Sequence, residues 1–126
     1  MVSGVSEPVA PVDVENVISE RLRTPFDAAL SDASRLRIQA ALHGLTADGS
    51  MRFTALAKAL NLSDGNLATH LAVLSEVGYV SARETFTGKR RTRWYSATPF
   101  GREAFEAHVR ALQLIVDSAA VGPVST

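Results

Sequence analysis

The chain has 126 residues, a formal net charge of zero, 46% hydrophobic residues and no cysteine. That length suits one domain with a modest core. The lack of cysteine excludes a disulfide framework, a thiolate metal site and a thiol redox sensor. No apolar run approaches the roughly 18 residues of a membrane span, so no membrane partner is expected.

Residues 1–12 contain Glu7, Pro8 and Pro11 and lack a basic run before an apolar core. This is not a secretory pattern; a flexible N-terminal tail and a cytoplasmic protein are expected. The first twenty residues carry Glu7, Asp13, Glu15 and Glu20 and no base. Asp13 can cap a helix with Val14, Val17, Ile18 and Leu22 on one side. Thr24-Pro25 ends or redirects it. Phe26, Ala29 and Leu30 give a short helical turn. Ser31-Asp32 starts a second helix bearing Ile38, Ala41, Leu42 and Leu45 on one face, closed by His43-Gly44. After a loop at Ala47-Asp48-Gly49, Ser50 to Phe53 reads as a short strand that pairs beside the hairpin at Tyr79 to Thr98.

Phe53 to Tyr79 reads as a short helix, a tight turn and a longer helix, the helix-turn-helix pattern. Thr54 is the expected cap of the first, in which Leu56 and Leu60 share a face and Ala57 allows close approach. Asn61-Leu62-Ser63 breaks it, with Leu62 plugging the gap between the helices. Ser63 is the expected N-cap of the second helix. There Leu67, Leu71 and Leu74 form an apolar stripe. Gly65, Asn66, Thr69 and Val73 fall on the opposite face, His70 lies at the flank, and Gly78 ends the helix. A small polar face near a helix start suits a DNA groove, because the free N–H groups favour phosphate and bulky side chains would hold the helix off. Asn66 and Thr69 can bond base edges, and Val73 can touch a thymine methyl. Such a face also occurs in ordinary helical domains, so the stretch alone leaves both readings open.

Tyr79 to Phe86 is strand-like, Thr87-Gly88-Lys89-Arg90 is the expected turn, and Arg91 to Ala97 returns. Lys89, Arg90, Arg91 and Arg93 cluster at the tip. From Arg83 to Tyr95 there are five basic residues and one acid. A basic hairpin beside a helix-turn-helix is an electrostatic footprint for phosphate contact. The alternative is a solvated hairpin whose arginines keep a sheet edge soluble. Trp94 and Tyr95 are read as structural, one packed on the domain and one partly outside.

Thr98-Pro99 opens the last helix, with Thr98 as N-cap. Phe105, Val109, Leu112, Ile115 and Val116 form a stripe too large for the remaining core. This helix is expected to pair with its copy in a homodimer, helped by Val14, Val17, Ile18 and Leu22. The alternative is that it folds back on its own domain. The expected organisation is a tail at 1–12, a domain at 13–120 with terminal dimerisation helices, and a flexible tail at 121–126.

The stretches L-S-D-G-N-L-A-T-H-L-A-V-L-S-E-V-G-Y-V at 62–80 and F-T-G-K-R-R-T-R-W-Y-S-A-T-P-F-G-R-E-A-F at 86–105 resemble winged-helix regulators of the ArsR/MarR superfamily. They are most similar to small bacterial and archaeal winged-helix DNA-binding proteins with D-G-N-L and T-x-x-G-R-x-x-F elements. S-D-A-S-R-L-R-I at 31–38 adds to the resemblance, which covers about 25–115. It implies a mainly α fold with a small β-hairpin, in the order α-α-β-α-α-β-β-α. It also implies a dimeric regulator of transcription that binds double-stranded DNA. The helix at 64–77 (Asp64, Gly65, Asn66, Thr69, His70, Val73, capped by Ser63) would enter the major groove. The wing (Thr87, Gly88, Lys89, Arg90, Arg91, Arg93) would meet the backbone or minor groove.

Metal-sensing relatives carry a Cys pair where this chain reads Ala-Leu-Ala-Lys-Ala-Leu at 55–60, so no metal or cofactor is expected. The remaining metal arrangement is an intersubunit site of His108 with Glu103 or Glu106. The resemblance also allows a small-molecule effector between the long helices, which no residue identifies. No catalytic constellation stands out, and no enzyme is expected. The competing function is a winged helix that docks a protein partner instead of DNA.

Overall fold

The computed structural model describes residues 13–121. The expected tail at 1–12 lies outside them. So does the expected tail at 121–126, apart from Val121, which closes the last helix. The elements are α1 (Val14–Leu22), α2 (Ala33–His43), β1 (Met51–Arg52), α3 (Phe53–Leu60), α4 (Asp64–Glu76), β2 (Val80–Thr87), β3 (Arg90–Ala97) and α5 (Pro99–Val121). Their order and type are those of a winged helix-turn-helix, as the sequence predicts. The three strands form one antiparallel sheet in the order β1-β3-β2. Among the described residues no helix is long and apolar enough to cross a membrane.

Two compact units are present: Phe26–Arg110, and a second made of residues before Phe26 with those from Ala111 onward. In the second, Asp13 caps α1 by accepting from the Asn16 N–H at 3.2 Å. In the first, Leu30, Ile38, Leu42, Leu56, Leu67 and Leu74 are fully buried. Each such side chain contributes about 1.5–3 kcal/mol relative to exposure.

The start of α3 differs from expectation. Thr54 is not its cap: Arg52 holds that position, with no side-chain cap. The reason is that Arg52 is still paired with Trp94 in the sheet. Strand pairing therefore fixes the boundary, and the expected strand at 50–53 shortens to Met51–Arg52. Asn61 then adopts the left-handed conformation at φ 53° and stops α3. Asparagine tolerates this region better than most residues. Leu62 packs against the core as expected.

Gly101 and Arg102 bind α5 to the rest of this unit. Thr98 Oγ1 accepts from the Gly101 N–H at 2.9 Å and donates to the Gly78 carbonyl at 2.6 Å. A Cβ on Gly101 would stand 2.1 Å from the Tyr79 carbonyl oxygen, so only glycine fits. That oxygen also accepts from Gln39 Nε2 at 3.2 Å. Arg102 Nη1 donates to the His43 carbonyl at 3.0 Å and Nη2 to that of Thr46 at 3.1 Å. The guanidinium thus serves the carbonyl of His43, the last residue of α2, and that of Thr46 in the following loop, which also accepts from the Gly49 N–H at 2.8 Å. The Thr98, Gly101 and Gln39 contacts hold Gly78 and Tyr79, the segment that follows α4.

Candidate nucleic-acid interface

The Ser63 hydroxyl caps α4 by accepting from the Asn66 N–H at 3.2 Å. Leu67, Leu71 and Leu74 are buried, so the helix must turn its other side outward. Ser63, Asp64, Gly65, Asn66 and Thr69 are exposed, and Val73 is half-buried. Among the described residues, no protein group hydrogen-bonds the Asn66 side chain. Thr69 Oγ1 donates to the Gly65 carbonyl at 2.9 Å, which leaves its lone pairs free to accept. A Cβ on Gly65 would meet nothing within 4 Å. The fold does not demand that glycine. The helix closes with Gly78 N–H to Ser75 O at 3.1 Å and Tyr79 N–H to Leu74 O at 2.9 Å, the paired bonds of a Schellman motif.

His70 sits at the flank, as expected, tied to the start of α2. Its Nδ1 lies 3.4 Å from Arg35 Nη1 and 3.9 Å from Asp32 Oδ1. Asp32 caps α2 through the Arg35 N–H, and this bond is the main reason its carboxyl is held below the ordinary carboxylate value.

The wing pairs Thr87 with Arg90 across a two-residue turn of Gly88 and Lys89. Gly88 takes φ 63°, the first position of a type II′ turn that glycine favours. Trp94 Nε1 donates to Thr85 Oγ1 at 2.8 Å, and the Ser81 and Ser96 hydroxyls meet at 3.0 Å. These contacts stiffen the outer face of the hairpin. Tyr95 is buried and Trp94 half-buried, as the alternation requires.

Wing and helix-turn-helix share a cleft of about 520 Å³, lined by Arg52, Thr54, Ala68, Arg90, Arg91 and Arg93 among others. Ala68 comes from α4, so the arginine cluster and the outward helix border one space. Arg52 was not picked out from the sequence. Its guanidinium lies 5.1 Å from the centroid of the Trp94 ring, a cation–π contact that aims it. The signal was the expected pairing of its strand beside the hairpin; the register that sets Arg52 opposite Trp94 is what spacing alone does not give. The second surprise is Glu84. It accepts from Arg93 Nε at 3.3 Å and lies 3.6 Å from Arg91 Nη1, so two wing arginines carry an internal counter-charge.

The metal alternative, His108 with Glu103 or Glu106, was expected between subunits; within one chain His108 and Glu106 are engaged with other groups. His108 is buried, and its Nδ1 accepts from the Asp27 N–H at 3.2 Å. Glu106 instead lies 3.7 Å from His43 Nε2. Of the expected interface residues, Phe105 packs against its own core and stacks on His43 at 4.7 Å between ring centroids. Val17, Ile18, Leu112 and Ile115 are half-buried. Val14, Leu22, Val109 and Val116 are 38%, 54%, 41% and 63% exposed.

A family model described as a winged helix DNA-binding domain matches residues 36–116. An uncharacterised protein of Methanocaldococcus jannaschii is 36% identical over 75 residues, covering 60% of this chain and 78% of that protein. A transcriptional regulator homologue from Pyrococcus horikoshii has a TM-score of 0.68 at 24% identity, covering 82% of this chain and 97% of that one. Bordetella bronchiseptica BpsR, whose DNA binding is regulated by 6-hydroxynicotinic acid, has a TM-score of 0.59 at 15% identity, with 88% and 81% covered. At these identities the two solved structures speak for the fold.

Proposed function

The chain belongs to the winged helix DNA-binding domain family, and on that premise we propose that it is a sequence-specific transcriptional regulator that binds duplex DNA as a homodimer. In this reading α4 enters the major groove, where Asn66 and Thr69 meet base edges, and the wing arginines hold the backbone or minor groove. The observation that carries it is the shared cleft: Ala68 of the outward helix and Arg52, Arg90, Arg91 and Arg93 border one space. Phosphate contacts from such arginines position a protein on the duplex, while the small polar helix face reads sequence.

The homodimer is supported by exposed apolar side chains on the terminal helices, notably Leu22 and Val116. Two copies would read half-sites about one helical turn apart, roughly 34 Å. A small-molecule effector would suit the hollow of about 350 Å³ lined by Val17, Glu20, Arg21, Thr24 and Leu114. BpsR provides a precedent of the same fold.

The test is selection of bound duplexes from a random pool. A palindromic consensus is expected. Failure to retain any duplex at micromolar protein would favour a protein-docking module instead.

A further inference from the structure

Resting on the DNA-binding reading above, we propose that Arg35 is a positioning residue that sets the His70 ring as a hydrogen-bond donor toward a DNA phosphate oxygen. Arg35 Nη1 lies 3.4 Å from His70 Nδ1. A guanidinium has five N–H donors and no acceptor. Nδ1 must therefore present its lone pair to Arg35, and the proton of the neutral ring resides on Nε2. Among the described residues Nε2 bonds to no protein group, and it is not one of the buried unpaired atoms. It therefore reaches solvent.

Arg35 is itself held in place. Its Nε donates to the Ala29 carbonyl at 2.7 Å, and its backbone N–H donates to Asp32 Oδ1 at 3.0 Å. The competing partner of Nδ1 is that same carboxylate oxygen, 3.9 Å away. This is beyond hydrogen-bond distance. The start of α2 thus decides which way a proton faces on α4. His70 stands at the flank of the helix, with 20% of its side chain exposed. A donor at the flank meets the backbone beside the groove, where phosphate oxygens accept.

Ring-nitrogen NMR shifts at about pH 8.5, where an ordinary imidazole is neutral, report the tautomer directly. The wild-type protein should carry the Nε2–H form, and a dominant Nδ1–H form would overturn the proposal. Arg35→Met should raise the Nδ1–H fraction, and Arg35→Lys, which keeps a donor, should restore the original form. In binding titrations, His70→Gln, which can place an amide N–H near the Nε2 position, should stay within about twofold of wild type. His70→Phe should bind about tenfold more weakly on random and selected duplexes alike. Thermal unfolding of each variant checks that it is folded. Unchanged binding by folded His70→Phe overturns the contact while leaving the DNA reading intact. A loss confined to the selected duplex overturns the phosphate assignment. A wild-type protein that binds no duplex overturns both.

Discussion

Glu84 stands directly opposite Arg93 on the wing and draws Arg91 toward the same carboxylate oxygen. The wing therefore holds part of its positive charge in check. Glu84→Gln should release both arginines. Exposed ion pairs contribute little, so stability should change by less than about 0.5 kcal/mol. Affinity for random duplex should rise several-fold, because the arginines no longer share their charge with a carboxylate when they meet phosphate. Anisotropy titrations at two salt concentrations measure this.

Gly65 separates stability from function. Its site is open, so Gly65→Ala should stabilise the fold by about 0.5 kcal/mol through a stiffer helix start. The added methyl stands on the outward face, so the same change should weaken DNA binding. Asn66→Ala should behave differently, altering the selected sequence more than the affinity for random duplex. Denaturant melts and parallel selections test the pair.

At Gly101 the sign is reversed. A methyl there meets the Tyr79 carbonyl, so Gly101→Ala should destabilise by about 3 kcal/mol or prevent folding. The measurement is the midpoint of urea unfolding.

Tyr79 donates its hydroxyl to Asp27 Oδ2. Burial, with the neighbouring carboxylate, pushes that hydroxyl up to about 12 from its ordinary value of 10.0. The folded state thus favours the protonated phenol. Its contribution to stability is full below about pH 10 and is lost as pH rises through about 12. Ultraviolet titration should show a tyrosine step near 12 that Tyr79→Phe abolishes, and the fall in stability between about pH 10 and 12 that this hydroxyl causes should be absent from that variant. Loss of the hydrogen bond should cost about 1 kcal/mol near neutrality.

The order of elements was readable because its signals are local. Leucine spacing marked α4, Ser63 and Thr98 marked helix starts, and Gly88 marked the turn of the wing. The outward set Gly65, Asn66 and Thr69 followed from the same spacing. What escaped depends on contacts distant in sequence. The pairing of the 50–53 strand beside the hairpin was expected, but not the register that sets Arg52 opposite Trp94 and into the cleft. Thr54 failed as a cap because the sheet fixes where α3 begins. Glu84 was counted as one acid, but only the strand register shows that it faces Arg93. The mechanical role of Arg102 requires the end of α2, more than fifty residues earlier, to lie beside it, and that of Gly101 requires the Tyr79 backbone.

The central claim is that arginines of the wing and its neighbouring strand meet DNA phosphate beside α4. The direct measurement is the salt dependence of duplex binding for wild type, Arg52→Ala, Arg90→Ala and Arg91→Ala. Each substitution should weaken binding to all sequences and lower the slope of log affinity against log salt by about 1. Slopes identical to wild type in all three folded variants, or wild-type binding that ignores salt, would contradict the account.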